Sequence, residues 1–178
     1  QALEKLIEER AYDDLAERNE LEEDELSIHT TDLYKLGHRL GSQELEFLNI
    51  YFSDINGIIK NTFDPEESIK INVQFKKNKE VESCVFGFSI YTEEGYLLTS
   101  ANSKQQGIII TDIRDKNVIT VTIHQNPFLE GIYYLTPGLY HEDCEEQYDV
   151  RERHYYFRVK ENNIDEEGKI RVNCSFTI

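Results

Sequence analysis

The sequence has no tryptophan, no methionine and only three cysteines among its 178 residues. Cys84, Cys144 and Cys174 are an odd number without a CxxC spacing, so they predict neither a disulfide framework nor a zinc knuckle, and they favour a reducing compartment. No uninterrupted apolar run approaches the roughly 18 residues that a membrane-spanning helix needs. With 39% hydrophobic residues, the chain is predicted to fold as one soluble domain with an appendage.

Positive charge is also scarce. The chain has 19 Lys and Arg residues against 35 Asp and Glu residues, a formal net charge of −16. This balance repels phosphate backbones and anionic membrane surfaces, so nucleic acid is not an expected partner. Residues 1–26 hold eleven of the acids and three of the bases. The rest of the chain is therefore only mildly acidic.

The first 18 residues contain neither Gly nor Pro, and Leu3, Ile7, Ala11 and Leu15 fall four apart. This period predicts an amphipathic helix. The chain does not start with Met and opens within the helical pattern, which predicts that it is a fragment of a longer protein. We interpret residues 1–36 as a helical connector and residues 37–178 as a separate domain.

Beyond Gly41 the apolar period changes from 3.6 to 2, and turn residues recur at the spacing of an all-β sandwich. Seven or eight strands are predicted. A phase slip at Leu48-Asn49 predicts a bulge in the first of them. Inward-facing Cys84 and Cys174 are predicted to be buried, and Cys144 to be accessible. An alternating strand is predicted from residue 169 to residue 178.

Catalytic signatures are missing. The sequence contains no GxxxxGK[ST], GxGxxG, GxSxG or HExxH, so no enzyme activity, cofactor or metal is predicted. The densest polar cluster runs from His141 to Glu146, with Asp149 after it. Its residue types suit a metal loop, and a carboxylate pair there would suit a glycosidase. We favour an acidic surface hairpin, because no ligand spacing is met.

Aromatic residues recur on one side of three predicted strands, at residues 83–91, 131–140 and 153–159. Strand parity turns them away from the core. The candidate binding residues on this face are Tyr91, Tyr134, Tyr140, His154 and Tyr156, joined by Ser89, Ile132, Thr136 and Arg158. Clustered exposed aromatics mark binding surfaces, and tyrosine suits sugars because its ring stacks on a pyranose while polar neighbours bond the hydroxyls. Cover by a helix, a loop or a second subunit is the alternative interpretation.

Seven short motifs follow one another through the predicted sandwich. They are, in chain order, Arg39-Leu40-Gly41-Ser42-Gln43-Glu44-Leu45, Ser53-Asp54-Ile55-Asn56-Gly57, Val85-Phe86-Gly87-Phe88-Ser89-Ile90, Gly95-Tyr96-Leu97-Leu98, Gly131-Ile132-Tyr133-Tyr134-Leu135, Tyr148-Asp149 and Phe157-Arg158-Val159. In this order and spacing they resemble the C-terminal domain of Wzt proteins, the ATP-binding subunits of ABC transporters that export O-antigen polysaccharide. The resemblance covers residues 37–178.

The resemblance implies an immunoglobulin-like antiparallel β-sandwich that binds the exported polysaccharide without catalysis, often near its modified non-reducing end. It also implies that the connector at residues 1–36 follows an ATPase domain. The full-length protein would work in the cytoplasm at the inner membrane, with the transporter's membrane subunit as a partner. The family platform often carries a Trp that this chain lacks, so individual sugar contacts are not carried over.

Two questions stay open at this point. The terminal strand, residues 169–178, could fold back on its own chain or cross to a second one; the resemblance favours a homodimer with an exchanged strand. The aromatic face could also meet a protein, which would make the domain an immunoglobulin-like protein–protein interaction module.

Overall fold

The computed structural model describes residues 38–161, 167–172 and 177. The predicted N-terminal helix, the connector and Cys174 lie outside the described residues. The described elements are the strands β1 (Arg39–Leu40), β2 (Leu45–Ser53), β3 (Thr62–Phe63), β4 (Ile69–Lys77), β5 (Val85–Thr92), β6 (Leu97–Asn102), β7 (Lys116–Ile123), β8 (Gly131–Tyr140), β9 (Gln147–Arg151) and β10 (Tyr155–Val159), with a 3-10 helix at Lys104–Gln106. No helix in these ranges is long and apolar enough to cross a membrane.

The strands form two sheets, so the all-β prediction is confirmed. The smaller sheet has the order β2-β4-β7, and all its pairs are antiparallel. The larger has seven strands arranged around β8. On one side of β8 lie β5 and then β6. On the other side, β10 pairs with the first half of β8 and β9 with the second.

The edges of the larger sheet are short. The two-residue strand β1 pairs with β9, and β3 pairs with β10. The β3–β10 pair is parallel, which corrects the prediction of a wholly antiparallel sandwich. The chain reaches this edge from the loop after β2, and backbone bonds such as Arg158 N–H to the Asn61 carbonyl (2.7 Å) hold it there.

The core lies between the two sheets. Alternate residues of β4, from Ile69 to Phe75, are buried, as expected for a strand with one face against a core. Rings from the two sheets meet edge to face, with centroids 5.4 Å apart for Phe52 and Phe157. Cys84 is fully buried, and burial raises the pKa of its thiol to about 12. Cys144 is exposed, so both of these cysteine predictions are confirmed.

Local features of β2 also match the sequence pattern. Its pairing register with β4 shifts between Phe47 and Asn49, which confirms the predicted bulge. The strand ends in a turn where the Asp54 carboxylate accepts the backbone N–H groups of Asn56 (2.9 Å) and Ile58 (2.8 Å). These bonds lower the pKa of Asp54, the Ile58 bond most. The turn closes at Gly57, whose φ of +87° is readily adopted only by glycine.

Four strands were not among those predicted, namely the two-residue β1 and β3 and the longer β6 and β9. Strand β6 is mostly polar after its first two residues, so its sequence lacks apolar alternation; pairing with β5 alone makes it a strand. Strand β9 follows the acidic loop, and its first four residues, Gln147 to Val150, include three that are buried. The ambiguous run Ile108 to Ile110 is a loop with a single bridge, from Ile110 to Cys84.

The start of the predicted terminal strand lies against residues 127–129. The Leu129 N–H bonds the Lys169 carbonyl (3.0 Å), and the Arg171 N–H bonds the Pro127 carbonyl (2.6 Å). Ile170 and Val172 are 38% and 76% exposed. The apolar row that was predicted to be buried is therefore uncovered at these two positions, whereas the neighbouring Lys169 and Arg171 side chains form ion pairs with Glu94 and Glu66. Residues 173–176 lie outside the described residues.

Asp149 links the two sheets at the edge that carries β1. Its buried carboxylate accepts the backbone N–H of Phe47 in β2 at 2.8 Å. Arg39 donates to both of its oxygens, at 2.9 and 3.0 Å, the geometry of a strong charge-assisted pair. The bond to Asp149 is the main cause that raises the pKa of Arg39. Arg151 adds a bond to the Phe47 carbonyl at 2.6 Å.

Candidate functional site

The outer face of the seven-stranded sheet carries a row of tyrosines. Tyr91 on β5 lies opposite Tyr134 on β8, and Tyr134 lies opposite Tyr156 on β10. Directly opposite residues share one face of a sheet, so the three side chains form one row, here called the tyrosine row. The rings of Tyr134 and Tyr156 have centroids 6.2 Å apart and planes inclined by 48°. All three residues are half-buried.

Leu97 extends the tyrosine row by one strand. It lies opposite Tyr91 in the register of β6 with β5 and is 56% exposed. Sequence reasoning did not include Leu97 in the candidate face because β6 was not predicted. The sequence signal that could have predicted β6 is the Glu93-Glu94-Gly95 turn, since a strand that ends in a tight turn is usually followed by its hairpin partner.

Tyr140 lies beside the row and packs over two glycines. Gly87 and Gly138 face each other on β5 and β8. A Cβ atom on Gly138 would stand 2.4 Å from the Cζ and Oη atoms of Tyr140, and one on Gly87 would stand 3.4 Å from its Cε2. The two glycines therefore leave the space that the Tyr140 ring fills. Packing of an aromatic ring over glycine is known to stabilise glycine within sheets. Burial raises the pKa of Tyr140, and nearby Tyr91 adds to the rise.

The predicted hydroxyl residues differ in access. Ser89 and Thr136 face each other across β5 and β8. Ser89 is half-buried, and its hydroxyl donates to Ser100 Oγ at 3.2 Å. Thr136 is only 9% exposed, and its Oγ1 accepts the backbone N–H of Arg153 at 2.8 Å. The prediction that Thr136 is open to a ligand is wrong, because the turn between β9 and β10 covers it.

That turn brings charged groups to the row. Arg153 has a positive φ of 45°, and exposed His154 follows it, with its ring 5.1 Å from that of Tyr155. Burial is the main cause that raises the pKa of Tyr134; Glu93 adds to the rise and Arg153 opposes it. Both charged groups are therefore close to the middle of the row.

Arg158 is the remaining predicted residue on this face. It lies two residues beyond Tyr156 on β10, so their side chains point to the same side of the sheet. It is exposed and lies opposite half-buried Ile132. The face thus combines flat aromatic surface with hydroxyl, imidazole and guanidinium groups. Chemically it can stack on apolar rings and bond hydroxyl or anionic groups around them.

The acidic loop lies elsewhere. His141 Nδ1 is 3.2 Å from Asp143 Oδ2, and the described residues hold no group of three or more His, Cys, Asp or Glu side chains arranged to bind a metal ion. Two cavities of about 510 Å³ also lie away from the tyrosine row. One is lined by acidic residues including Glu44 and Glu145. The other lies between the edges of β6 and β7.

Comparison with known proteins matches the chain to a family and to solved structures. A family model described as the Wzt C-terminal domain matches residues 37–172. A crystal structure of the C-terminal domain of Wzt superposes with a TM-score of 0.69 at 18% identity, covering 80% of this chain and 88% of that chain. No curated protein matches the chain.

Other solved structures match less well. A β-glucuronidase of Bacteroides uniformis has 13% identity and a TM-score of 0.42, covering 58% of this chain and 13% of that chain. A CARDB domain from Pyrococcus furiosus has 11% identity and a TM-score of 0.38, covering 74% of this chain and 100% of that one.

Proposed function

The chain belongs to the Wzt C-terminal domain family, and on that premise we propose that it recognises O-antigen polysaccharide for an ABC exporter. The family fits a polysaccharide-recognition role in an ABC transporter, and its domain is non-catalytic. In this proposal the domain is part of the exporter's ATP-binding subunit, in the cytoplasm at the inner membrane. Binding tethers the lipid-linked glycan beside the membrane subunit.

The tyrosine row is the observation that carries the proposal. Tyr91, Tyr134 and Tyr156 stand on one outer face, with Leu97 at one end. Leaving such rings partly in water forgoes burial worth on the order of 1 kcal/mol or more for each. A sugar ring recovers that energy by stacking, while its hydroxyls stay bonded to water and to polar side chains.

The row also suggests how the glycan lies. Together with Leu97 it crosses four adjacent strands, a length of about 14 Å at the usual strand spacing. This is room for several sugar rings in succession. The polysaccharide would therefore run across the strands, with Tyr140 and Ser89 beside it.

Titration with O-polysaccharide purified from the organism that encodes the protein tests the proposal. Because the chain has 11 tyrosines and no tryptophan, tyrosine emission reports binding alongside calorimetry. Tyr134→Ala and Tyr156→Ala are each expected to weaken binding by roughly 1 kcal/mol or more, as anchor residues do. Tyr51→Ala is the matched control, because Tyr51 lies on β2 opposite Asn72, on the outer face of the other sheet.

Two outcomes would count against the proposal. Equal binding by wild type and both row variants would remove the tyrosine row as the site. Failure of the wild type to bind any polysaccharide, together with capture of a protein that the row variants lose, would favour the protein–protein interaction module.

We extend the proposal to a homodimer that exchanges its terminal strand, residues 169–178. Its support is the uncovered apolar pair Ile170 and Val172, which a second chain would bury. The Tyr133 hydroxyl donates to the Leu129 carbonyl (2.7 Å) and lies 3.1 Å from the Lys169 carbonyl, so it is close to the point from which the strand would cross. Sedimentation should give the mass of two chains, and deletion of residues 173–178 should give one. If the chain without any deletion sediments as a monomer, the strand exchange is refuted.

A further inference from the structure

Cationic groups lie at and beside the tyrosine row, although the chain as a whole is acidic. The chain carries 35 acidic and 19 basic residues. The charged groups around the row include Arg153 and Glu93, which both act on the pKa of Tyr134, exposed His154 just before β10, and exposed Arg158 within it. Two arginines and a histidine thus stand at or beside the row, although acids are nearly twice as common as bases in the sequence.

Arg158 differs from the other arginines of the described part. Six arginines lie in the described ranges. Four form ion pairs: Arg39, Arg114, Arg151 and Arg171. Arg153 has an interaction of its own. The Arg158 side chain has no hydrogen bond or ion pair with any described residue, and the bond from its N–H to the Asn61 carbonyl is a backbone bond.

The neighbourhood of Arg158 suits a ligand group. It stands opposite Ile132 on β8 and Thr62 on β3, neither of which is charged. Tyr156 lies about 6.7 Å away along β10, two residues at the usual rise. A sugar ring stacked on Tyr156 would therefore bring its substituents within reach of the guanidinium. A guanidinium offers a planar fork of donors that matches the two oxygens of a carboxylate or a phosphate.

We infer that the glycan bound at this face carries an oxyanion, either the carboxylate of an acidic sugar or a phosphate, and that Arg158 binds it beside the sugar on Tyr156. This inference rests on the proposed function. It adds that the ligand is an acidic polysaccharide and that Arg158 determines this specificity. A neutral glycan would leave the guanidinium without a partner, whereas an acidic one supplies the oxyanion that no described residue supplies.

An array of purified bacterial polysaccharides tests the inference, with members that contain a uronic acid, members that contain a phosphodiester, and neutral members. The wild type should bind acidic members. Arg158→Gln should weaken that binding at least tenfold, and Arg158→Lys should restore part of it, because lysine keeps the charge but loses the fork. Arg114→Gln is the control, since Arg114 is an exposed arginine that pairs with Asp112 just before β7.

Chemical treatment of the bound polysaccharide identifies the source of the charge. Loss of binding after reduction of carboxyl groups to alcohols indicates a uronic acid, and loss after removal of phosphate indicates a phosphodiester. Raising the salt concentration should weaken the wild type more than Arg158→Gln, because one screened contact is already absent from the variant.

The inference and the proposed function can fail separately. If the wild type binds neutral members as tightly as acidic ones, or if Arg158→Gln binds as the wild type does, the inference is overturned. A loss of binding in Tyr156→Ala would then still support the proposed function. If Tyr134→Ala and Tyr156→Ala bind every member as the wild type does, both fail. An array on which no acidic member binds also overturns the inference.

Discussion

Each outer face of the sandwich carries a cross-strand row of three residues, and the two rows can be compared position by position. On the three-stranded sheet the row is Tyr51, Asn72 and Thr120. Its polar members bond one another, since the Thr120 hydroxyl donates to Asn72 Oδ1 at 3.3 Å. On the seven-stranded sheet the corresponding row is three tyrosines. Strand alternation is the same on both sheets, so the two faces differ only in which residue types point outward. On the three-stranded sheet the outward polar groups bond one another, whereas on the seven-stranded sheet the outward aromatic rings are suited to a ligand.

The charged side chains follow the same division. On the three-stranded face, Glu46 bonds Arg39 at 2.9 Å, Lys76 at 3.0 Å and Asn78 at 3.0 Å. On the tyrosine face, Arg158 has no such partner among the described residues. A surface whose charges are already paired gains little from a charged ligand, because binding would first have to break those pairs. Under the proposed function, the difference associates stability with one face and recognition with the other.

The largest loss of stability is expected from a change at Asp149, whose carboxylate joins the two sheets. Asp149→Ala removes the carboxylate that joins β9 to β2, leaving the Phe47 N–H without its acceptor and Arg39 and Arg151 without their buried partner. Removing one member of such a pair costs about 3–5 kcal/mol. Urea denaturation should show this loss, while Asp143→Ala, at an exposed carboxylate beside His141, should change the free energy of unfolding by less than about 1 kcal/mol. Equal effects of the two variants would contradict the role given to Asp149.

A smaller change should disturb the tyrosine face alone. Gly138→Ala places a methyl group where the Tyr140 ring lies, so the ring must swing away, while β8 keeps its pairing. Polysaccharide binding should weaken by about 1 kcal/mol, and the free energy of unfolding should change by less than about 1 kcal/mol.

The double variant Gly138→Ala/Tyr140→Ala separates the two causes. If displacement of the ring is what weakens binding, the double variant should bind as Tyr140→Ala does. Wild-type affinity in Gly138→Ala would mean that the position of Tyr140 is immaterial to the glycan.

The smallest change in stability is expected from Glu46, on the three-stranded face. The bonds from Asn78, then Lys76 and then Arg39 lower the pKa of Glu46 from 4.5 to about 2. A lowered folded-state pKa stabilises the protein above the unfolded-state value, and this contribution is lost as the pH falls from about 4.5 to about 2. Glu46→Gln should cost less than about 1 kcal/mol at pH 7 and should flatten this part of the stability profile.

Glu80→Gln is the control for that change, because the Glu80 side chain is 91% exposed and pairs with a single lysine. Its pH profile should follow the wild type. A Glu46→Gln profile that also followed the wild type between pH 4.5 and pH 2 would show that the cluster contributes nothing.

Several parts of this structure could be predicted because they depend on local alternation. Ile69, Ile71, Val73 and Phe75 are all buried, since a strand with one face against a core must place every second side chain inward. The same parity put Tyr91, Tyr134 and Tyr156 on the opposite side of their strands. The bulge at Leu48 was visible because one extra residue reverses the phase of that alternation.

Other parts depend on contacts between distant segments. Strand β6 has no apolar alternation of its own, and Leu97 joins the tyrosine row only through pairing with β5. The cover over Thr136 comes from the Arg153 backbone, 17 residues along the chain. Neither feature leaves a periodic signal, because the partner that creates it is not a neighbour in sequence.

The sequence by itself determined the fold class, the inward and outward faces of most strands, and the tyrosines as candidates, because strand parity is a property of each strand alone. Only the tertiary structure decided which strands are neighbours, and so which outward side chains stand together. It aligned Tyr91, Tyr134 and Tyr156 in one row, laid Tyr140 over paired glycines and left Arg158 apart from the described carboxylates. The physical reason is that strand pairing and register are set by hydrogen bonds and packing between segments far apart in the chain.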